Sequence, residues 1–275
     1  MNATGRYGRV QVDYMRSRGT NLVALVALGR GGEMVDGLPV YDAVEEAAAE
    51  AGANAAVVFT PPAGVADAVI ECADAGMRFA VVAAEFVPTH DTMRAAFHAR
   101  QRGLWLIGPN TAGMATPGVG LLGGIPPEFC KPGKVGVIGR SGTLSINVVR
   151  LMTQGGVGQS TIVHMGGDVI CGRNPHEWLN LFQEDPATDA IVSLGEIGGG
   201  KEYELAKQIA KSPKPVVVLI VGRNAPAGKR MGHAGALVEG ERGTAAAKLA
   251  ALREAGAIIA TSPADVVVKL KEVMG

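Results

Sequence analysis

The sequence predicts an α/β fold made of two successive doubly wound domains, each built on a parallel sheet. Short, uniformly apolar segments alternate with amphipathic helical segments along most of the 275 residues. Strands that are apolar on both faces are typical of parallel sheets covered by helices on each side. The alternation breaks at residues 109–133, where eleven of 25 residues are Gly or Pro. We therefore predict a domain over 1–108, a linker over 109–133 and a domain over 134–275.

The first domain alternates regularly after a glycine turn that begins at Thr4. Strands are predicted at 21–26, 55–59, 79–82 and 104–107, and helices at 41–51, 64–75 and 89–102. A doubly wound domain needs a strand that leads into its first glycine turn. Because three residues precede Thr4, we expect this first strand to be missing or reduced to a stub.

The second domain repeats the same alternation with longer apolar runs. Strands are predicted at 134–138, 159–164, 190–194, 215–221 and 257–260. Helices are predicted at 141–154, 175–183, 201–211 and 244–255, with a last helix from 263. This order favours a second βα unit of the same class.

Composition narrows the classes of partner. Lys plus Arg and Asp plus Glu both number 26, so no charge excess indicates a nucleic acid or an anionic membrane surface. No apolar run approaches 18 residues and no signal peptide opens the chain. Cys72, Cys130 and Cys171 lie far apart and lack metal-ligand spacing. We expect a soluble, cytoplasmic protein with reduced thiols and no metal site.

The loop 222–237 follows the apolar run 215–221 and has the strongest signal for chemistry. Four of its residues are glycines, which let backbone N–H groups approach an anion closely. Lys229, Arg230 and His233 lie among them, so the loop predicts a phosphate site beside a candidate nucleophile. The glycine spacing and the residue after the lysine both differ from the P-loop pattern GxxxxGK[ST].

Other candidate ligands in the second domain follow predicted strands. Ser141 suits an N-cap, and Ser141-Gly142 would present free N–H groups and a helix dipole to a phosphate. Glu196 and Asp168 end two further strands, and the carboxyl ends of parallel strands share one edge. An acid beside His233 would fix its tautomer. The other histidines, including His164, are interpreted as structural.

The first domain offers a second anion site at its own carboxyl edge. The glycine turn Thr4-Gly5-Arg6-Tyr7 runs into a helical pattern, and Arg30 lies in a Gly-rich turn after the next strand. Helix N-termini and strand ends of this kind bind phosphate groups. The two turns suggest a nucleotide-like ligand, although simple turns with a solvated arginine explain them equally well.

With these residues assembled, the chain resembles the α subunit of succinyl-CoA synthetase and related NDP-forming acyl-CoA ligases over essentially its whole length. The similar segments occur in the family's order. They are IGPN at 107–110, SGTL at 141–144, GGD at 166–168, GEIGG at 195–199 and KRMGHAGA at 229–236.

The resemblance implies a Rossmann-like CoA-binding domain followed by a flavodoxin-like ligase domain. It also implies the reaction acid + CoA + NTP = acyl-CoA + NDP + phosphate, with an acyl phosphate and a phosphorylated His233 as intermediates. Glu196 would orient His233, and Ser141 and Gly142 would hold the phosphate. Implied CoA contacts are Thr4, Gly5, Arg6, Tyr7, Arg30, Ala83, Ala84 and Glu85.

The resemblance further implies a partner, because no segment of this chain reads as an ATP-grasp domain. In the family that domain lies on a separate β subunit, which would bind ATP or GTP with Mg²⁺. The chain would then act within a heterodimer or heterotetramer, and would complete no turnover alone.

Departures from the family pattern concern the carboxylic acid. Ile146-Asn147 stands where succinate-using relatives carry Tyr-Glu, and Thr111-Ala112 stands where they carry Cys-Pro. We therefore expect an acid other than succinate. Two alternatives stay open: a CoA-binding or regulatory relative with reduced catalysis, and a homologue that transfers acyl or carbamoyl groups. A dinucleotide-dependent dehydrogenase is disfavoured because its GxGxxG set is absent.

Overall fold

A computed structural model describes residues 1–226, 228–233 and 235–275, and for Arg6 and Tyr7 it describes the backbone alone. The described residues form two compact units. The first comprises Met1–Ile125 and Ile170–Gly172, and the second comprises Pro126–Val169 and Arg173–Gly275. None of the described helices is both long enough and apolar enough to cross a bilayer.

The first unit contains the predicted alternation of short parallel strands and helices. Its helices are α1 (Arg6–Arg16), α2 (Val44–Ala51), α3 (Val65–Asp74) and α4 (Thr89–Gln101). Its strands are β1 (Leu25–Val26), β2 (Met34–Val35), β3 (Leu38–Tyr41), β4 (Ala55–Val58), β5 (Phe79–Val82), β6 (Trp105–Ile107), β7 (Gly113–Thr116) and β8 (Gly120–Gly123). Ala80, Val81 and Val82 of β5 are fully buried, as expected for a strand covered on both faces.

The N-terminal residues occupy the place of the expected first strand. The Met1 amino group donates to the Val57 carbonyl at 2.6 Å, and the Phe59 N–H donates to the Met1 carbonyl. The Asn2 N–H donates to the Val26 carbonyl at 2.8 Å. This stub therefore bonds to β1 on one side and to β4 on the other. With the stub as strand one and β1, β3, β4, β5 and β6 as strands two to six, the strands lie in the order 3-2-1-4-5-6, the Rossmann order, and β2 pairs antiparallel with β3.

A cavity of about 480 Å³ lies beside this stub. Met1, Val23, Ala24 and Ala55 are among its mainly apolar lining residues. The stub bonds to the carboxyl ends of β1 and β4. Residues nearer the start of these two strands therefore line the cavity. Burial also lowers the pKa of the Met1 ammonium group.

The Gly/Pro-rich segment after β6 contains a β-hairpin. Its high Gly and Pro content had led to the prediction of a linker. Strands β7 and β8 pair antiparallel, with Gly113 opposite Gly123. Both glycines have positive φ, and a Cβ on Gly113 would lie 1.9 Å from the Leu122 carbonyl oxygen. Glycine permits this close approach of two backbones. Residues 113–123 are thus regular structure where a linker was predicted.

The second unit has one five-stranded parallel arrangement flanked by helices. Its strands are β9 (Pro132–Gly139), β10 (Gln159–His164), β11 (Ala190–Glu196), β12 (Val216–Val221) and β13 (Ile258–Ile259). Its helices are α5 (Gly142–Gln154), α6 (Pro175–Glu184), α7 (Lys201–Ile209), α8 (Ala245–Glu254) and α9 (Pro263–Met274). All residues of β11 are buried, as expected for a central strand that helices cover on both faces.

The strand order of this unit shows where the ligand crevice of a doubly wound sheet would lie. The strands lie in the order β13-β12-β11-β9-β10, and each neighbouring pair is parallel. Counted along the chain this is 2-1-3-4-5, the flavodoxin-like order, whose ligand crevice lies where the order reverses. That point falls between β9 and β11, at their carboxyl ends Gly139 and Glu196. The predicted fold class is confirmed.

Candidate active site

Glu196 and His233 meet at the carboxyl edge of the second unit. His233 Nδ1 lies 2.7 Å from Glu196 Oε2. The Glu196 side chain is 7% exposed and that of His233 is 27% exposed. The acid is thus held in the protein while part of the imidazole faces solvent, an arrangement that lets the ring react with a bound group.

The hydrogen bond fixes the tautomer of His233. An ionised carboxylate accepts hydrogen bonds and cannot donate, so Nδ1 carries the proton. The neutral ring then has its lone pair on Nε2. The hydrogen bond to Glu196 raises the pKa of His233 above its ordinary value, while partial burial and the Arg140 charge oppose this shift. In this tautomer Nε2 is the ring nitrogen with an available lone pair.

Arg140 is a buried cation of the site that the sequence analysis overlooked. Its Nη1 lies 3.3 Å from Glu196 Oε1, and its side chain is 5% exposed. Its Nη2 donates to the Asp168 carbonyl at 3.4 Å. Lys229 and Arg230, the cations expected near the phosphate, are exposed. The position of Arg140, at the end of β9 and directly before Ser141, was the available signal.

Glycines let the histidine loop approach the strand ends. A Cβ on Gly167 would lie 2.9 Å from His233 Cδ2, so the imidazole packs directly on the Gly166-Gly167-Asp168 turn. A Cβ on Gly198, whose φ is +83°, would lie 2.2 Å from the Gly235 carbonyl oxygen. Side chains at these positions would push the loop away from Glu196.

Ser141 and Gly142 form the start of α5 as predicted. Ser141 is the N-cap, and its Oγ accepts from the Leu144 N–H at 3.4 Å. A Cβ on Gly142 would lie 3.0 Å from His164 Cε1. The first turn of α5 thus rests on a histidine that the sequence analysis interpreted as structural.

His164 is a buried neutral base beneath this helix start. Its Nε2–H donates to the Arg140 carbonyl. Burial lowers the pKa of His164 to about 4, and the nearby His233 acts in the same direction. The hydrogen bond to the Arg140 carbonyl opposes the shift. His164 thus supports the segment that joins Arg140 to Ser141.

We expect folding stability to fall below neutral pH because His164 must take up a proton on unfolding. The pKa of His164 in the folded protein, about 4, lies below the ordinary histidine pKa of 6.5. Above pH 6.5 His164 therefore does not reduce the free energy of unfolding. As the pH falls from 6.5 to about 4, that free energy decreases by on the order of 3 kcal/mol. His164→Gln keeps an N–H donor and should flatten this dependence in urea unfolding between pH 4 and 7. The exposed His90→Gln is the control, and an equally steep profile in His164→Gln would contradict the assignment.

The predicted anion turns of the first unit lie at helix and strand ends. Thr4 precedes α1, and Gly5 is its N-cap with no side-chain hydrogen bond. The side chains of Arg6 and Tyr7 lie outside the described residues. Arg30 forms an exposed ion pair with Glu33. The N–H groups of Arg30 and Gly31 both donate to Asp42 Oδ1 at 2.9 Å, so this turn is held by a carboxylate.

The other predicted contacts are placed by β5 and α5. Ala83, Ala84 and Glu85 follow β5, and the Asn110 N–H donates to the Ala84 carbonyl. Glu85 is exposed. Ile146 and Asn147 lie on α5, where both line an open depression.

Thr111 and Ala112 stand at the start of the β7–β8 hairpin. The Thr111 hydroxyl accepts from the Gly113 N–H at 2.8 Å, and the Ala112 carbonyl accepts from the Gly124 N–H. Both residues thus fix the hairpin where the family pattern has Cys-Pro.

Comparison with known proteins matches two successive parts of the chain to two family models. A family model described as a CoA binding domain matches residues 2–86, and one described as CoA-ligase matches residues 138–258. The alpha 2 subunit of the ADP-forming succinate–CoA ligase of Archaeoglobus fulgidus is 45% identical over 98% of this chain and 94% of that protein. The alpha subunit from Aquifex aeolicus is 42% identical over 96% of this chain and 87% of that protein.

A solved structure extends the likeness to three dimensions. The ATP citrate lyase of Methanothrix soehngenii, in complex with citrate and coenzyme A, matches with a TM-score of 0.78 and 29% identity. The match covers 86% of this chain and 42% of the lyase chain, so this chain spans less than half of that protein. The relatives match nearly end to end, and both family models match in order. The chain belongs to the family of succinate–CoA ligase alpha subunits.

Proposed function

We propose that this chain is the CoA-binding, phosphohistidine-carrying α subunit of an NDP-forming carboxylate–CoA ligase. The observation that carries the proposal is the 2.7 Å contact of His233 Nδ1 with the buried Glu196 carboxylate. This contact leaves Nε2 unprotonated and partly exposed. A nucleophile activated by an oriented base partner is the arrangement that covalent catalysis requires.

The reaction divides into three transfers. His233 Nε2 attacks the γ-phosphorus of a nucleoside triphosphate, an N–P bond forms, and the P–O bond to the NDP leaving group breaks. A carboxylate oxygen then attacks the same phosphorus, which frees His233 and gives an acyl phosphate. The CoA thiolate attacks the acyl carbon, and phosphate leaves as the thioester forms. Each step is reversible.

The α5 N-terminus would hold the transferred phosphate. Ser141 and Gly142 begin a 13-residue helix whose first N–H groups and dipole favour an anion. Arg140 supplies a nearby positive charge that also pairs with Glu196. Glu196 is negatively charged and orients His233, so it cannot neutralise the phosphate. The helix N-terminus and Arg140 would balance the phosphate charge.

CoA would bind the first unit at the turns that follow its strands. The proposed contacts are Thr4, Gly5, Arg6, Tyr7, Arg30, Ala83, Ala84 and Glu85. The free N–H groups at the start of α1 suit a CoA phosphate. The ion pair of Arg30 with Glu33 is exposed, so solvent screens it and the guanidinium can exchange to a phosphate.

The partner would be a β subunit with an ATP-grasp domain, in a heterodimer or heterotetramer in the cytoplasm. ATP or GTP would bind there with Mg²⁺. The acid would be a small carboxylate other than succinate, because Ile146 and Asn147 lack the phenol and carboxylate that succinate-using relatives carry at these positions.

We expect labelled phosphate to appear on His233 when the chain and its co-encoded partner are incubated with γ-labelled ATP or GTP. The label should be acid-labile, base-stable, located on Nε2 and absent from His233→Asn. CoA with the correct acid should then discharge it, and a panel of acids identifies that acid. A label on another residue would reject the phosphohistidine role, and efficient discharge by succinate would reject the substrate proposal.

A further inference from the structure

A fully buried lysine contacts the main chain of Glu196. Lys248, in the first half of α8, has 0% exposure. An unpaired ammonium in such a place would be strongly destabilising, so buried lysines are retained with partners. The partners of Lys248 therefore indicate what its position contributes.

One partner is the Glu202 carboxylate of α7, with Lys248 Nζ to Glu202 Oε2 at 2.6 Å. The Glu202 side chain is 2% exposed. Burial lowers the pKa of the Lys248 ammonium, and the Glu202 charge opposes this shift. The Lys248–Glu202 pair is neutral overall. Charge neutralisation therefore does not explain why the pair lies beside Glu196.

The other two partners belong to the turn that carries Glu196. Lys248 Nζ donates to the Glu196 carbonyl at 2.9 Å and to the Gly198 carbonyl. Two of the three N–H donors of the ammonium thus bond to this turn, and the Glu202 carboxylate lies beside the ammonium as an ion pair. The turn is thereby tied at two carbonyls on either side of Ile197. Gly198 is also a position at which a Cβ would collide with the histidine loop.

We propose that Lys248 is a positioning residue, which clamps the main chain at Glu196 and Gly198 so that the Glu196 carboxylate meets His233 Nδ1. The proposal rests on the function proposed above. The groups that face His233 are Glu196, Arg140, Asp168 and His164. Lys248 touches the first of these and none of its contacts is with the imidazole itself. A displacement of about 1 Å at a reacting group can slow a reaction 10²-fold.

The test separates the clamp from the charge pair. Lys248→Met with Glu202→Leu removes both buried charges at similar volume, a change that proteins often tolerate. We expect this double variant to fold, to lower the His233 pKa toward its ordinary value, and to slow phosphorylation at least tenfold. The pKa is measured by NMR titration of the ¹³C-labelled histidine rings, with His233→Asn for assignment.

A matched control removes a pair of the same type from the surface. Lys207 and Glu204 of α7 form an exposed ion pair. Lys207→Met with Glu204→Leu should leave the His233 titration unchanged. Lys248→Arg keeps the charge pair but replaces a compact ammonium by a planar fork, so it should also lower the His233 pKa. Wild-type titration of His233 in both Lys248 variants would overturn the proposal, and if the double variant fails to fold, Lys248→Arg alone decides.

The titration distinguishes this proposal from the function on which it rests. It requires the full α chain and neither the partner nor a nucleotide. A His233 pKa that falls in the Lys248 variants supports the clamp even where no phosphate is transferred. Phosphorylation of wild type together with an unchanged pKa in the variants supports the function and rejects the clamp.

Discussion

Replacing Glu196 by glutamine is expected to slow phosphorylation of His233 by about 10²- to 10⁴-fold. The amide keeps the volume of the side chain but removes the charge that holds the proton on Nδ1 and stabilises the ring as it becomes positive. The pKa of His233 should fall, since the hydrogen bond to Glu196 is the main cause of its rise. Arg140 would also lose its counter-charge in a buried place. The rate is measured in single turnover with labelled nucleotide.

The matched control for this change is Glu204→Gln. Glu204 is exposed on α7 and pairs with Lys207, so the substitution removes one carboxylate without touching the site. It should leave the phosphorylation rate within a factor of two of wild type. If Glu196→Gln were phosphorylated at the wild-type rate, Glu196 would have no orienting role and the proposed mechanism would need another base partner.

Gly198→Ala is expected to have the second largest effect, because the new Cβ would meet the backbone of the histidine loop. It would lie 2.2 Å from the Gly235 carbonyl oxygen and 2.7 Å from the Leu237 nitrogen. Positive φ and overpacking together should cost roughly 2–5 kcal/mol of unfolding free energy. The loop must move away from Glu196, so phosphorylation should fall at least 10²-fold. Urea unfolding and the label-transfer rate measure the two effects.

Gly199→Ala separates steric contact from backbone strain. Gly199 also has positive φ, +61°, but a Cβ there would meet nothing within 4 Å. We expect a loss of about 1 kcal/mol and nearly normal phosphorylation. Equal loss of phosphorylation in both variants would show that strain in this turn, and not the approach of the loop, controls His233.

The sequence predicted the strands and helices that are buried on regular patterns. The strands 79–82 and 159–164 have the predicted bounds, and α6 and β11 extend a little beyond theirs. A continuous apolar run such as 79–82 is sufficient for a strand because burial on both faces leaves little choice of structure. The hairpin of β7 and β8 was not predictable in this way. Its glycines allow close pairing of two backbones, and a glycine count cannot distinguish that from a flexible linker.

The candidate-site residues that belong to local sequence motifs were predictable. His233, Glu196, Ser141 and Gly142 are read from the loop and strand ends, and the structure brings His233 and Glu196 to 2.7 Å. The buried charges behind them were not predictable. Nothing in the helical pattern of α8 distinguishes Lys248 from a surface lysine until α7 and β11 enclose it.

By itself the sequence determined the fold class, the sheet edge at which the candidate residues lie and the residue types available there. These follow from local patterns, since alternation of apolar strands with helices puts every strand end on one side. The tertiary structure alone decided which charges meet: Arg140 against Glu196, and Lys248 against Glu202 and the turn that carries Glu196. Those pairs join elements distant in the chain, and their strength depends on distance and burial, which sequence patterns do not contain.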